Sequence, residues 1–246
     1  MQSSNPALNV KIFDKERAFQ SADRMTMEGT VMKSGFLLVI VVLGAAWIWY
    51  KTGSGQITGA AVQPWLYGSL AVGFLLAIVT IFKPSIACYT APLYALAEGV
   101  LLGLLSYIME MFFPGIVMQA VGLTFAIFLC MLAAYGFQVL RATERFKKGV
   151  VSATAAIFLV YLVSFILRFF GMQVPYIHSG GIIGIGFSLF VVGIAALNLI
   201  LDFDFIEQGA QKGAPKYMEW FGAFSLLVTL VWLYIEILHL LAKMRD

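Results

Sequence analysis

Four carboxylates stand inside or at the ends of long apolar runs of this chain: Glu98, Asp202, Asp204 and Glu236. An ionisable group at the centre of a bilayer costs at least about 2.5–3.5 kcal/mol on insertion scales, so each one needs a reason for being there. The chemistry open to them is narrow. Two carboxyl groups brought together in low dielectric tend to share one proton and titrate as a unit. The same oxygen-rich arrangement suits a hard cation, Ca2+ above all. Asn198 precedes Asp202 by one turn and shares its helix face. Glu236 belongs to a longer pattern. Ser225, Thr229, Trp232, Glu236, His239 and Lys243 follow one another at offsets of 4, 3, 4, 3 and 4, which is one face of a helix. Leu, Val and Ile fill the other faces, so this helix is predicted to turn its polar stripe into a bundle rather than to lipid. Lys243, at the end of the stripe, is read as snorkelling to the interface, and His239 either does the same or joins the polar pathway.

The elements that must position these groups follow from composition. Of 246 residues, 61% are apolar and 12% charged, against about 45–50% and about 25% in soluble domains. That little charge cannot cover a globule, and lipid must be the solvent for most of the chain. Roughly 20 apolar residues span the hydrocarbon as a helix. Seven such runs are present, at 34–50, 65–82, 86–107, 114–140, 150–171, 178–201 and 221–242. Runs this long and uniform are helices, because lipid leaves every backbone group to be satisfied internally. The fold class is therefore all-α, a polytopic membrane bundle of seven transmembrane helices with the seventh central. Residues 1–24 form a polar tail, and 25–246 a single seven-helix domain. Thr26 followed by Glu28 marks the first helix start.

With the N-terminus in the cytoplasm, twelve of the sixteen Lys and Arg fall on inside segments. The tail is then cytoplasmic and the C-terminus outside. Trp47, Trp49, Tyr50, Trp65 and Tyr67 gather at the outer boundary as an aromatic belt. The first apolar run starts too late, behind too mixed a segment, for a cleavable signal peptide.

Small residues mark close helix contacts in lipid. Ala95, Gly99 and Gly103 form one such ridge beside Glu98, and the sixth run carries Gly180, Gly181, Gly184, Gly186 and Gly193, with Ala195 and Ala196. Counted from the cytoplasmic ends, Glu98 and Glu236 both come out near mid-bilayer at 1.5 Å per residue. Glu236 can therefore share a proton or a cation with Glu98. A nucleic-acid partner is not expected, since the net charge is only +3 and no basic stripe is present. Neither is an enzyme or a resident cofactor: there is no HExxH, GxSxG or P-loop, and only two Cys and two His. The paired glycine motifs that accompany intramembrane aspartyl chemistry are missing too.

Two segments carry a family resemblance. Leu197-Asn-Leu-Ile-Leu-Asp-Phe-Asp-Phe-Ile-Glu207 resembles the sixth-helix motif of the transmembrane Bax inhibitor motif family, and Leu233-Tyr-Ile-Glu-Ile-Leu-His-Leu-Leu241 its seventh-helix motif. With Ala214-Pro-Lys-Tyr-Met-Glu-Trp-Phe-Gly-Ala-Phe224 before the last helix, the pattern is similar to the bacterial YccA-like branch. The resemblance implies six helices wrapped around the seventh. It also implies a pH-sensitive Ca2+ leak gated by two acids, one on each of the last two helices, which fall on Asp202 and Glu236. These two are then the candidate Ca2+ ligands, with Glu236 standing where the family more often has Asp. A basic residue after the second helix, corresponding to Lys83, would pair with the acids, though without the bidentate geometry of Arg. Glu98, Asp204, Asn198 and His239 are further pathway candidates. The YccA-like branch also implies a second role, in which the tail binds a membrane-bound AAA protease and nothing is transported. On either reading the site is a bacterial inner membrane.

Overall fold

The computed structural model describes residues 24–170 and 181–245, so residues 1–23 of the tail, and the protease-binding role read on them, lie outside the described residues. Thr26 caps the first helix as its position suggests: its hydroxyl accepts the Gly29 N–H at 3.0 Å, opening α1 (Met27–Gly53). Glu28 lies in the first turn of α1 and Lys51 in the last, each at the helix pole it complements. Then come α2 (Val62–Phe82), α3 (Ala87–Phe112), α4 (Ile116–Gly136), α5 (Glu144–Phe169), α6 (Ile182–Gln211) and α7 (Met218–Arg245). The breaks have local causes. Pro84 denies Lys83 the helical conformation and ends α2. Gly213, at φ +66°, turns α6 into α7.

All seven helices are long and apolar enough to cross a bilayer, and the protein is an integral membrane protein with seven spans. Six of the helices are longer than the apolar segments that predict them, whereas α4 lies inside its predicted 114–140. Most tellingly, α6 continues to Gln211, ten residues past the predicted end, because backbone hydrogen bonding does not stop where hydropathy does. α7 is the hub. It packs against α1, α3, α4 and α6, and 61% of its most apolar stretch is buried, against 11% for α2. Side chains such as Val31, Leu43, Phe74 and Phe158 stay more than half exposed on the outer faces, where acyl chains cover them.

Two small-residue expectations separate here. The Ala95–Gly99–Gly103 ridge does bring α3 against α1: Gly99 lies on Val41, and Gly103 on Ala45 and Ile48. Ala195 and Ala196 of α6 are likewise buried. Gly186 and Gly193, however, face open space, since that half of α6 runs along the bundle edge with Ile182, Ile183, Leu189 and Phe190 exposed. They do not serve helix approach.

One end of the bundle is tied by a knot that the apolar pattern does not announce. Arg24 bridges Pro215, and Met25 N–H donates to the Ala214 carbonyl at 2.7 Å. Glu219, in the first turn of α7, is 1% exposed. It accepts both the N–H and the hydroxyl of Thr26 at 2.9 Å and pairs with Lys33, whose ammonium also lies 5.4 Å from the Trp220 ring centre. A carboxylate of the last helix thus completes the cap of the first. Removing it strands a lysine and two donors, so Glu219→Ala is expected to cost about 2–4 kcal/mol. Reversible unfolding in mixed detergent micelles measures this, and Glu219→Gln should recover part of the loss.

Candidate functional site

The polar stripe of α7 faces α5 and α6, and two open cavities lie along that seam, the second walled also by α3. The first, of about 560 Å³, opens near the α6–α7 turn and is bordered by Met25, Lys147, Asp202, Asp204, Gln208 and Ser225. Asp202 is 8% exposed. Its Oδ1 accepts the Ser225 hydroxyl at 2.6 Å, the Thr229 hydroxyl also lies by the carboxylate, and its buried Oδ2 has no hydrogen-bond partner among the described residues. Asp204, two residues on, accepts the Lys147 ammonium at 2.8 Å and the Gln208 amide at 2.6 Å. The cation of α5 therefore sits across the cavity wall, bridging to α6. One turn deeper than Asp202, the Asn198 amide donates to the Thr154 hydroxyl at 2.8 Å and to the Ile194 carbonyl at 2.9 Å. That bolt joins α5 to α6 between the cavities.

The second cavity, of about 760 Å³, lies at the other end of the seam and includes Tyr161, Ser164, Ser188, Trp232, Glu236 and Lys243, with His239 exposed at its rim. Glu236 is 3% exposed. The Tyr161 hydroxyl lies 2.9 and 3.0 Å from its two oxygens, and the Trp232 indole N–H donates to Oε1 at 3.1 Å. Lys243 donates to the Ser188 hydroxyl at 2.8 Å and to the Gly184 carbonyl at 3.4 Å, which places it in the cavity wall.

The structure does not bring Asp202 and Glu236 together. In the antiparallel α6–α7 hairpin the residue opposite Asp202 is Ser225, and Glu236 lies eleven residues, about 16 Å, further along α7. The two acids have separate hydrogen-bond partners in separate cavities, so they cannot ligate one Ca2+ ion here. Nor does Glu236 meet Glu98. Tyr234 of α7 bonds Ser106 of α3 at 2.6 Å, and Ser106 lies eight residues, about 12 Å, along α3 from Glu98. Glu98 faces α2, where a Cβ on Gly73 would stand 3.2 Å from its Oε1; the Tyr94 hydroxyl lies by its carboxylate, and its buried Oε2 has no partner among the described residues. The shared depth fails chiefly because Glu98 lies eleven residues into α3 and Glu236 eighteen residues into α7. Lys83 is exposed at the end of α2 and makes no ion pair among the described residues. The basic group beside the α6 acids is Lys147. Glu207, one turn past Asp204, accepts from the Tyr135 hydroxyl of α4.

Tyr161 and Lys147 were the residues sequence reasoning passed over. A signal existed: Thr154, Tyr161 and Ser164 fall at offsets of 7 and 3 in an apolar helix, a second polar stripe that answers the one on α7. Lys147 lay hidden among the other charges of 141–148. Among the described residues, no three His, Cys, Asp or Glu gather to hold a resident metal.

Comparison with known proteins bears on this arrangement. No curated protein and no solved structure matches the chain. The family described as Bax inhibitor 1 like matches residues 5–246, nearly the whole length, with the α6 acids and the α7 polar stripe inside the match. The chain belongs to the Bax inhibitor 1-like family.

Proposed function

We propose that this protein is a pH-sensitive cation leak, with Ca2+ as the cargo, whose path follows the seam between α5, α6 and α7. One observation carries the reading: Asp202 Oδ2 is buried beside the cavity at one end of the seam, with no hydrogen-bond partner among the described residues. A desolvated, unmatched carboxylate oxygen is expensive, and a fold keeps it where something transient binds. Ca2+ takes six to eight oxygen ligands. Asp202, Ser225 and Asn198 offer too few for a resident ion, which suits one passing with part of its water. The Lys147–Asp204 pair guards one mouth, the Asn198–Thr154 bolt closes the middle, and Glu236 with Tyr161 and Trp232 forms the far station. Two acids on the last two helices then act in series rather than as a contact pair. The Lys and Arg bias favours a cytoplasmic Asp202 mouth, and the likeness of the 214–224 motif to the YccA-like branch favours a bacterial inner membrane.

The test is Ca2+ entry into liposomes holding the purified full chain, followed from about pH 5 to 8. Wild type is expected to show flux above empty liposomes with a clear pH dependence. Asp202→Asn and Glu236→Gln are each expected to flatten that dependence and to lower flux at least about tenfold, a loss of about 1.4 kcal/mol or more in barrier terms. Wild-type flux indistinguishable from empty liposomes, or both variants behaving as wild type, would sink the reading.

A further inference from the structure

Glu98 is a buried acid that the seam between α5, α6 and α7 leaves unused. It is 9% exposed in the middle of α3, and its Oε2 has no hydrogen-bond partner among the described residues. The Tyr94 hydroxyl lies by the carboxylate from one turn back, its ring set edge to face against Phe224 of α7 with centres 5.0 Å apart. No cation of the neighbouring helices stands level with it among the described residues. On α1, Gly99 lies against Val41, which puts Lys33 about seven residues, or about 10 Å, toward one end, where it is paired with Glu219. On α2, Gly73 is opposite Glu98, and Lys83 follows ten residues later, about 15 Å away. α4 holds no Lys or Arg between Ile116 and Gly136. On α7, the Tyr94–Phe224 and Ser106–Tyr234 contacts set Glu98 level with about residue 227, about 15 Å or more along the axis from Lys216 and Lys243. A carboxylate in apolar surroundings needs a counter-charge, and these helices bring none to its level.

Beside this acid, α2 and α3 part to form an apolar groove of about 740 Å³, a volume within the range of about 300–1,000 Å³ typical of small-molecule sites. Val72, Leu75 and Leu93 line it and are at least half exposed on the outer surface, so the groove opens toward the acyl chains. Ala97, the residue before Glu98, lines it too. A Cβ on Gly73 would stand 3.2 Å from Glu98 Oε1 and 3.9 Å from Ala97 Cβ, so any side chain there would come between the Ala97 wall and the carboxylate. α2 is also the helix most able to yield, being the least buried of the seven spans and packed on α3.

We infer that the α2–α3 groove binds a lipophilic cation entering from the bilayer, its apolar body in the groove and its charge on Glu98. A neutral apolar occupant gains nothing from the carboxylate, and an anion is repelled by it. A small hydrated cation would shed its water against Leu and Val, whereas a cation wrapped in apolar groups has little water to lose. The groove lies on the α2 side of α3, away from the seam, so this binding stands or falls separately from the leak reading.

The test uses the full chain in nanodiscs of a zwitterionic phospholipid. Equilibrium dialysis against tetraphenylphosphonium and tetraphenylborate, ions of matched shape and opposite charge, reads what is held above empty nanodiscs. Tetraphenylphosphonium is expected to bind saturably and at least about tenfold tighter than tetraphenylborate, on the scale of one charge-assisted contact. Glu98→Gln, which keeps the side-chain shape, is expected to lower that affinity at least about tenfold. Val72→Trp fills the groove from its lipid side, where the added rings meet acyl chains rather than the core, and is expected to cause a loss of similar size. That variant decides the matter if Glu98→Gln does not fold. The inference is overturned if tetraphenylphosphonium shows no saturable binding above empty nanodiscs, if tetraphenylborate binds as tightly, or if either folded variant keeps wild-type affinity.

Discussion

Leucine at both Gly99 and Gly103 is expected to separate α1 from α3 and to cost about 3 kcal/mol at each position, toward the upper end of what overpacking does. The neighbours are backbone, which has nowhere to go. A Cβ on Gly99 would stand 2.5 Å from the Val41 carbonyl oxygen, and one on Gly103 would stand 2.7 Å from that of Ala45 and 2.4 Å from Ile48 Cγ2. The fit is mutual, since a Cβ on Gly44 would stand 3.2 Å from the Leu96 carbonyl oxygen. In lipid, close packing of this kind replaces the hydrophobic drive as the main source of helix association. The damage should travel. α1 is also bound to the start of α7 through Thr26, Lys33 and Glu219, so α1 cannot shift without pulling on that carboxylate. Gly186→Leu and Gly193→Leu are the contrast, because nothing lies within 4 Å of either position and each should change stability by less than about 0.5 kcal/mol. Unfolding free energies in mixed micelles for the four single variants decide the matter. Equal losses at all four positions would mean that the penalty reports glycine flexibility rather than the α1–α3 approach.

The contrast between those glycines also shows where the sequence was legible. Periodicity is a strong guide when one helix carries it through many turns. The six residues from Ser225 to Lys243 share a face by spacing alone, and that face does turn inward onto α5 and α6. A ridge of small residues says only that close approach is possible. It served α3, which has α1 beside it, and failed for Gly186 and Gly193, which have no neighbour. Contacts between distant segments were the least readable. Asp202 meets Ser225 because the α6–α7 turn is tight and both helices run on beyond their apolar cores, so the hairpin register overrides any pairing of acids by type. Glu219 is invisible to hydropathy, since a polar residue at the foot of an apolar run looks solvated, yet Thr26 and Lys33 bury it from 186 or more residues away. Lys83 illustrates the limit of transferring a role by order along the chain. The family expectation calls for a basic group beside the acids, and the fold supplies one from α5 in Lys147 instead.

Replacing Asp202 by leucine should make the protein more stable and less active at once. The carboxylate is 8% exposed, and its Oδ2 accepts no hydrogen bond in a site bordered by α5, α6 and α7. Burying an unsatisfied polar atom costs about 1–3 kcal/mol, and leucine of comparable size removes that cost while adding apolar contact. The bond from Ser225 at 2.6 Å is lost, and with it the approach of the Thr229 hydroxyl, which keeps the Ser225 carbonyl as its acceptor. A serine in a helix can redirect its hydroxyl to the carbonyl one turn back, here that of Phe221, so Ser225 need not stay unpaired. The net expectation is a gain of about 1–2 kcal/mol. Flux should move the other way, falling at least about tenfold, because the group that offers a passing cation a free oxygen is gone. The two readouts together carry more than either alone. A carboxylate kept for packing would lose stability on substitution, as a satisfied buried group does, and flux would then drop only in proportion to folded protein. A carboxylate kept for ion passage at the expense of stability gives opposite signs, the trade found where a site is held in an unfavourable state for function. Stability measured in micelles and flux normalised to folded protein therefore distinguish the two. A destabilised Asp202→Leu with unchanged flux per folded molecule would place Asp202 in the architecture of the α6–α7 hairpin and take it out of the pathway.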